Sequence, residues 1–129
     1  MKAPRANAES APFWEGCRRG ELLYQACSAC GRAQFPPRAR CVHCQAPGPE
    51  WRRSAGRGTV HSFTLVERAP SPEFTAPYLL ALIDLDEGFR MMANLRGCAP
   101  QDACVGQRIR IVFEALTDGD ALPQAVPER

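Results

Sequence analysis

Polar and apolar residues alternate most clearly in VGQRIRIVFEAL, residues 105–116, where Arg108 and Arg110 face outward and Ile109, Ile111 and Phe113 inward. A period of two marks a strand with one buried face. The same period runs through GRGTVHSFTLVE, residues 56–67, and sets Val60, Ser62 and Thr64 against His61, Phe63 and Leu65. YLLALIDLDEG, residues 78–88, is a nearly continuous apolar run, and its Asp86-Glu87-Gly88 turn leads into FRMMANLRG as a hairpin partner. Three prolines make RAPSPEFTAP, residues 68–77, a loop. A compact turn or single helical turn is expected over 98–104, a further turn at TDGD and a last short strand in ALPQAV. Five short strands in about 75 residues are enough to close a small Greek-key barrel such as an OB-fold. Periodicity alone does not separate that barrel from other small ones.

Upstream the pattern changes. Residues 1 to about 9 are small and polar and are expected to be loosely ordered. Ser10, with Pro12 close behind, marks the start of a helix running through Phe13, Trp14 and Cys17 toward Leu22. Phe13, Cys17 and then Leu22 or Leu23 fall on one face, although Gly16 and Gly20 weaken the helix. A helix this short cannot bury two large aromatics by itself. Phe13 and Trp14 either pack on the rest of the chain or anchor a partner, and they are the preferred candidates for partner contact.

Cysteine spacing adds chemistry to this outline. Seven cysteines rule out a fully paired disulfide framework, and four of them form two CxxC pairs, Cys27/Cys30 and Cys41/Cys44. In each pair two thiolates three residues apart reach one metal across a tight turn, and Gly31 supplies the backbone freedom needed after the first. The ten residues between the pairs suit a short β-hairpin, with strand-like LLYQA before the first pair and AQF after it. Four sulfur ligands leave no position for water, so the metal is a structural zinc. A redox CxxC would need one pair in a thioredoxin-like βαβ setting, which is absent. His43 lies inside the second knuckle as an alternative ligand, but a complete cysteine set favours a solvent-facing or supporting role. Cys17, Cys98 and Cys104 lack metal spacing and read as small buried residues, with a reactive thiol at Cys98 or Cys104 as the alternative.

Length and charge narrow the class. The 129 residues suit one domain or two very small ones sharing an interface. The formal charge is +2, but four thiolates around one zinc contribute −2, leaving the folded chain near zero. That is a poor footprint for nucleic acid, which rewards a dense basic face. The N-terminus has no apolar signal region, no run approaches the 18 or more apolar residues of a membrane span, and thiol usage implies a reducing compartment. A cytoplasmic protein without membrane contact is expected.

The run FWEGCRRGELLYQACSACGRAQFPPRARCVHC, followed by GRGTVHSFTLVERAP, APYLLALIDLDEGFRMMANLRG, VGQRIRIVFEAL and ALP, resembles the zinc-ribbon/OB-fold proteins associated with acyl-CoA metabolism. The likeness spans residues 13 to about 123 in order. It implies a mainly β chain: an N-terminal helical segment over 1–20, a rubredoxin-type zinc ribbon over 21–50 and a five-stranded OB-fold barrel over 51–129. One departure lies in the second knuckle, where family members often carry proline after the first cysteine and glycine after the second; here Val42 and Gln45 stand instead.

The resemblance also implies a role. Members are usually not catalysts and assemble with thiolase-like enzymes, including lipid-transfer-protein-type thiolases, aldolases and acyltransferases, or with hydratases, helping to form the acyl-CoA or acyl-chain channel. A hetero-oligomer is therefore expected. Phe35, Pro36, Pro37 and Arg38 match the family's FPPR segment, which makes Arg38 a candidate for a CoA phosphate or a partner carboxylate. For the prolines the alternative is stiffening of the crossing between knuckles. His61, on the first barrel strand, is a further contact candidate or a structural histidine. The residues themselves are compatible with this role, since the chain shows no convincing Ser-His-Asp or Cys-His set, no paired carboxylates at a fixed spacing and no Gly-rich phosphate loop. Two other classes remain: an OB-fold binding single-stranded nucleic acid, and a small hydrolase or reductase using Cys98 or Cys104.

Overall fold

The computed structural model describes residues 9–68, 77–116 and 119–128. The N-terminal residues 1–8, the proline-rich stretch over 69–76 and residues 117–118 of the TDGD turn lie outside these. Pro12 sits in the first turn of helix α1, Ala11–Arg18, which buries Phe13 and Cys17. The helix stops short of Leu22, correcting the longer one expected from the apolar spacing. The Glu21 N–H reaches back to the Gly16 carbonyl at 2.8 Å, the chain reverses at Gly20, and Leu23 opens a strand.

That strand is β1, Leu23–Ala26, the centre of a three-stranded antiparallel sheet. On one side lies β2, Ala33–Gln34, and on the other β3, Glu50–Arg53, in the registers Gln25↔Gln34 and Gln25↔Trp51. The strand-like segments before and after the first cysteine pair do form a hairpin, but it carries the Cys27–Cys30 knuckle at its tip; the ten residues between the pairs hold only β2, which corrects the expectation of a hairpin lying between them.

The barrel comprises β4 (Arg57–Val66), β5 (Tyr78–Leu85), β6 (Arg90–Leu95), β7 (Arg108–Ala115) and β8 (Ala121–Pro127). Its closed order is β4-β5-β6-β8-β7, with β7 returning to β4 through Arg57↔Arg110 and Thr59↔Arg108. Every pairing is antiparallel except β6 with β8, which meet at Leu95↔Ala125. A five-stranded Greek-key ring of this kind is the OB-fold. The expected turn between β6 and β7 contains a 3-10 turn at Pro100–Asp102.

One strand departs from simple alternation. Val60 pairs with Ile83 and Ser62 with Leu82, so His61 is an extra residue in β4. This bulge reverses the facing of everything after it. Val60 points into the core before the bulge and Phe63, not Ser62 or Thr64, packs against the core after it. The single-face grouping of Val60 with Ser62 and Thr64 is corrected accordingly.

Helix, ribbon and barrel share one core. Phe13, Cys17, Leu22, Tyr24 and Ala26 join Val60, Ile83, Leu85, Phe89, Met91 and Ile109 in a single buried cluster. At the junction Tyr24 stacks on Phe89 with centroids 4.8 Å apart, Phe35 lies 5.9 Å from Phe89 and 5.3 Å from Phe13, and Trp14 meets Phe13 edge-on at 5.0 Å. A polar latch accompanies this seam. Glu87, in the β5–β6 turn, accepts from the Ser54 hydroxyl at 2.7 Å and the Ala55 N–H at 2.8 Å, while the Gly56 N–H donates to the Ser54 oxygen at 2.9 Å. The Ser54 N–H in turn donates to the Leu22 carbonyl at 2.8 Å. The link between ribbon and barrel is therefore held from both sides.

Two predictions follow from the closure of the barrel. A Cβ at Gly58 would lie 2.3 Å from the Asp84 carbonyl oxygen and 3.0 Å from the Leu85 Cα, both rigid backbone. Gly58→Ala is expected to lower unfolding stability by about 1–3 kcal/mol in urea titrations, the usual scale of an overpacked site. Arg108 grips Asp86 with two bonds of 2.8 Å, tying the β5–β6 turn to β7, and this guanidinium holds the Asp86 carboxyl below its ordinary range. Because the folded state binds that proton less readily than the unfolded chain, the pair stabilises above the unfolded carboxylate value near 3.9 and fades as pH falls through the lower folded value. Melting curves below about pH 4 should therefore show a smaller acid-dependent loss for Asp86→Asn than for the unaltered chain.

Candidate metal centre

The sulfurs of Cys27, Cys30, Cys41 and Cys44 lie within 4.8 Å of one another. Cys27 and Cys44 are 3.6 Å apart, as are Cys30 and Cys41. Four sulfurs about 2.3 Å from a tetrahedral zinc are separated by about 3.8 Å, so the donor set has the size and chemistry the ion requires. This is a structural zinc site. Zinc supplies a fixed cross-link here, with no position open to substrate.

Backbone donors prepare the ligands. The Cys30 N–H points at the Cys27 sulfur and the His43 N–H at the Cys41 sulfur, each at 3.4 Å. The Cys30 N–H is the main reason the Cys27 thiol is lowered to about 6. Cys44 has the Ala46 N–H favouring its thiolate, yet the crowded sulfurs of Cys27, Cys41 and Cys30 push it up to about 12. Four neighbouring thiolates cannot all carry charge alone; the cation makes that possible and its binding releases protons from the cluster.

The knuckles are two copies of one turn. The Cys27 N–H bonds to the Arg32 carbonyl and the Gly31 N–H to the Cys27 carbonyl; likewise the Cys41 N–H bonds to the Ala46 carbonyl and the Gln45 N–H to the Cys41 carbonyl. Both turns need a left-handed residue after the second cysteine: Gly31 has φ +76° and Gln45 has φ +67°. The departure noted at position 45 is thus a side chain held in a glycine's conformation.

Two residues that sequence reading missed position the second knuckle. Gln25 accepts from the Arg38 N–H at 2.8 Å and donates to the Arg38 carbonyl at 2.9 Å. Gln34 donates to Gln25 at 2.7 Å and to the Arg40 carbonyl at 3.3 Å, and accepts from the Val42 N–H at 2.8 Å. Both glutamines are buried and face each other across β1 and β2. The available signal was polar residues at inward strand positions beside the cysteines.

The remaining candidates fall elsewhere. Phe13 is only 4% exposed and fills the core, so it offers no surface to a partner; Trp14 and Phe35 are half-buried against the same cluster. This corrects the reading of Phe13 as an exposed anchor, since the helix packs against β1, β7 and β8 and turns that ring inward. Pro36, after a cis peptide bond, and Arg38 are exposed, whereas Pro37 is buried. His61 is exposed on the barrel, with Nδ1 3.1 Å from Asp84 and 3.2 Å from Arg90. His43 is also exposed and lies 3.3 Å from the Ala33 carbonyl, outside the ligand set. Cys17 is buried and its thiol is pushed up to about 12, chiefly by burial. Cys98 is half-buried and Cys104 exposed on the irregular link before β7, a correction to the expectation that both are buried.

Relieving the strain in the second turn gives a direct test. Gln45→Gly should stabilise the zinc-bound protein by about 1 kcal/mol, the cost of a side chain in the left-handed region. Competition with a chromogenic chelator should then show zinc held several-fold more tightly.

Comparison with known proteins agrees with this architecture. Residues 14–50 match the family described as "ChsH2, rubredoxin-like zinc ribbon domain" and residues 51–114 match "ChsH2, C-terminal OB-fold domain". The chain is 34% identical over 106 residues to a probable enoyl-CoA hydratase alpha subunit of Thermomonospora curvata, covering 82% of this chain and 33% of that protein. It is 33% identical over 118 residues to the 3-oxo-4,17-pregnadiene-20-carboxyl-CoA hydratase alpha subunit of Mycobacterium tuberculosis, covering 92% and 38%. The chain thus spans about a third of the length of these two relatives. A DUF35 domain-containing scaffold protein of Methanocaldococcus jannaschii is 35% identical over 102 residues, covering 77% of this chain and 72% of that one. Among solved structures, a chain described as "Ltp2-ChsH2(DUF35) aldolase" superposes with a TM-score of 0.89 at 31% identity, covering 97% of this chain and 98% of that chain. A zinc ribbon built on paired CxxC knuckles, packed on an OB-fold and matched at this level along its length, places the chain in the ChsH2/DUF35 family.

Proposed function

We propose that the chain is a non-catalytic accessory subunit of a thiolase-fold enzyme of the lipid-transfer-protein type, acting in the cytoplasm. In this reading it helps to shape the channel that receives the acyl chain of an acyl-CoA. The observation that carries it is the near-complete superposition on a chain described as part of an Ltp2-ChsH2(DUF35) aldolase, at 31% identity. The relatives described as scaffold proteins point the same way. The chemistry of the chain is in keeping: the metal is closed by four sulfurs, the Cys17 thiol is buried, and His61 contacts a carboxylate and a guanidinium rather than a nucleophile. Because this chain corresponds to about a third of each hydratase relative, we assign the activity in those names to the rest of those proteins.

The test is purification of the tagged protein from its native host, with zinc content measured on the same sample and companions identified by mass spectrometry. A thiolase-fold enzyme in stoichiometric amount, with about one zinc per chain, is the expected result. Recovery of the chain alone, with thiolytic, condensing or retro-aldol activity of its own, would overturn the proposal.

A further inference from the structure

Four arginines of the barrel and three near the zinc knuckles are used differently. In the barrel Arg57 pairs with Glu128, Arg90 with Asp84, Arg96 with Glu114 and Arg108 with Asp86. In the ribbon Arg32, Arg38 and Arg40 are exposed, and none has a carboxylate partner among the described residues. Arg38 and Arg40 each give one bond to a backbone carbonyl, of Pro37 at 3.0 Å and Gln45 at 2.9 Å, so most of the five donors of each guanidinium stay available.

These three side chains belong to one end of the molecule. Arg32 closes the first knuckle through its carbonyl, and Arg40 immediately precedes Cys41 of the second; the knuckles meet at the Cys30–Cys41 sulfur contact of 3.6 Å. The backbones of Arg38 and Arg40 are fixed by Gln25 and Gln34, so the main chain beneath these side chains has little order to gain on binding. Val42, 54% exposed, lies on the same segment and is one of few large apolar side chains at the surface. Exposed arginine beside an exposed aliphatic residue on a rigid support is the composition of a protein interface.

Charge distribution selects the kind of partner. Residues 11–56 carry seven arginines and three glutamates, which with the zinc site's −2 leaves +2. Residues 57–128 carry six arginines against ten carboxylates, or −4. A long polyanion would be repelled by the barrel, and no aromatic side chain of the barrel is fully exposed among the described residues to stack on a base. A local acidic patch on a folded protein meets the ribbon without meeting the barrel's charge.

We propose that the zinc end of the ribbon, through Arg32, Arg38 and Arg40 with Val42, docks onto an acidic surface patch of the partner protein. This rests on the accessory-subunit reading for the existence of a partner. The partner that co-purifies with the unaltered chain is isolated and titrated with the zinc-loaded protein, with a triple Arg32→Glu, Arg38→Glu, Arg40→Glu variant, and with Arg110→Glu as a barrel control. Binding of the unaltered chain should weaken steeply between about 50 and about 300 mM salt. The triple variant should bind at least about tenfold more weakly at low salt, while the control stays unchanged. Should the triple variant lose zinc, the Arg→Gln triple replaces it, with a several-fold loss expected.

Equal binding by the zinc-loaded variant and the unaltered chain overturns the docking proposal and leaves the accessory role standing. Arginine-dependent binding to a partner without a thiolase fold supports the docking surface and overturns the accessory role. If the unaltered chain yields no protein partner, both proposals fail. Saturable binding of a single-stranded oligonucleotide or of free CoA, lost in the triple variant without loss of protein binding, assigns the arginines to those ligands and overturns the docking proposal.

Discussion

A three-stranded ribbon and an eight-residue helix have too little apolar surface to remain ordered alone, and here both lean on the barrel through one aromatic seam. Tyr24 from the ribbon and Phe89 from the mouth of the β5–β6 hairpin form its centre, with Phe35 and Phe13 adding rings from either side. The stack joins elements far apart in sequence, so the seam forms only when the barrel hairpin is in place. Zinc then fixes what the seam cannot reach. It ties the two knuckles at the outer end of the ribbon, where apolar contacts are few and Cys30 and Cys44 are exposed.

Most of this architecture was legible from residue order because the signals are local. A CxxC pair declares its metal within four residues, and strands β5, β6 and β7 declare themselves by alternation or apolar runs bounded by turns. What escaped depends on partners distant in sequence. The bulge at His61 exists only relative to the register of β5, so Ser62 and Phe63 exchange faces without any mark in their own strand. Phe13 looked available because a helix of eight residues cannot show what covers it. The glutamines were overlooked because a buried amide is legible only when both of its hydrogen-bonding sides are seen to be satisfied.

The division of labour between the two halves follows from their electrostatics as well as their packing. The barrel pairs Arg57, Arg90, Arg96 and Arg108 with its own carboxylates, and these exposed pairs contribute little each but neutralise those four arginines locally. The ribbon holds its guanidiniums on a backbone anchored by buried amides and cross-linked by metal. Rigidity and charge without a carboxylate partner among the described residues thus coincide at the zinc end. Loss of zinc would be felt first in the shape of the ribbon's outer end.

Glu87 has a consequence for how such proteins can be recombined. Its carboxylate belongs to the barrel's hairpin, yet the groups it binds, the Ser54 hydroxyl and the Ala55 amide, lie on the link that leaves the ribbon after β3. A ribbon exchanged between relatives would carry its own ligands and fold around its own ion, but its heading relative to the barrel is written in the recipient's hairpin tip. The transplantable cassette is therefore larger than the metal module: it includes the hairpin tip that tells the ribbon where to point.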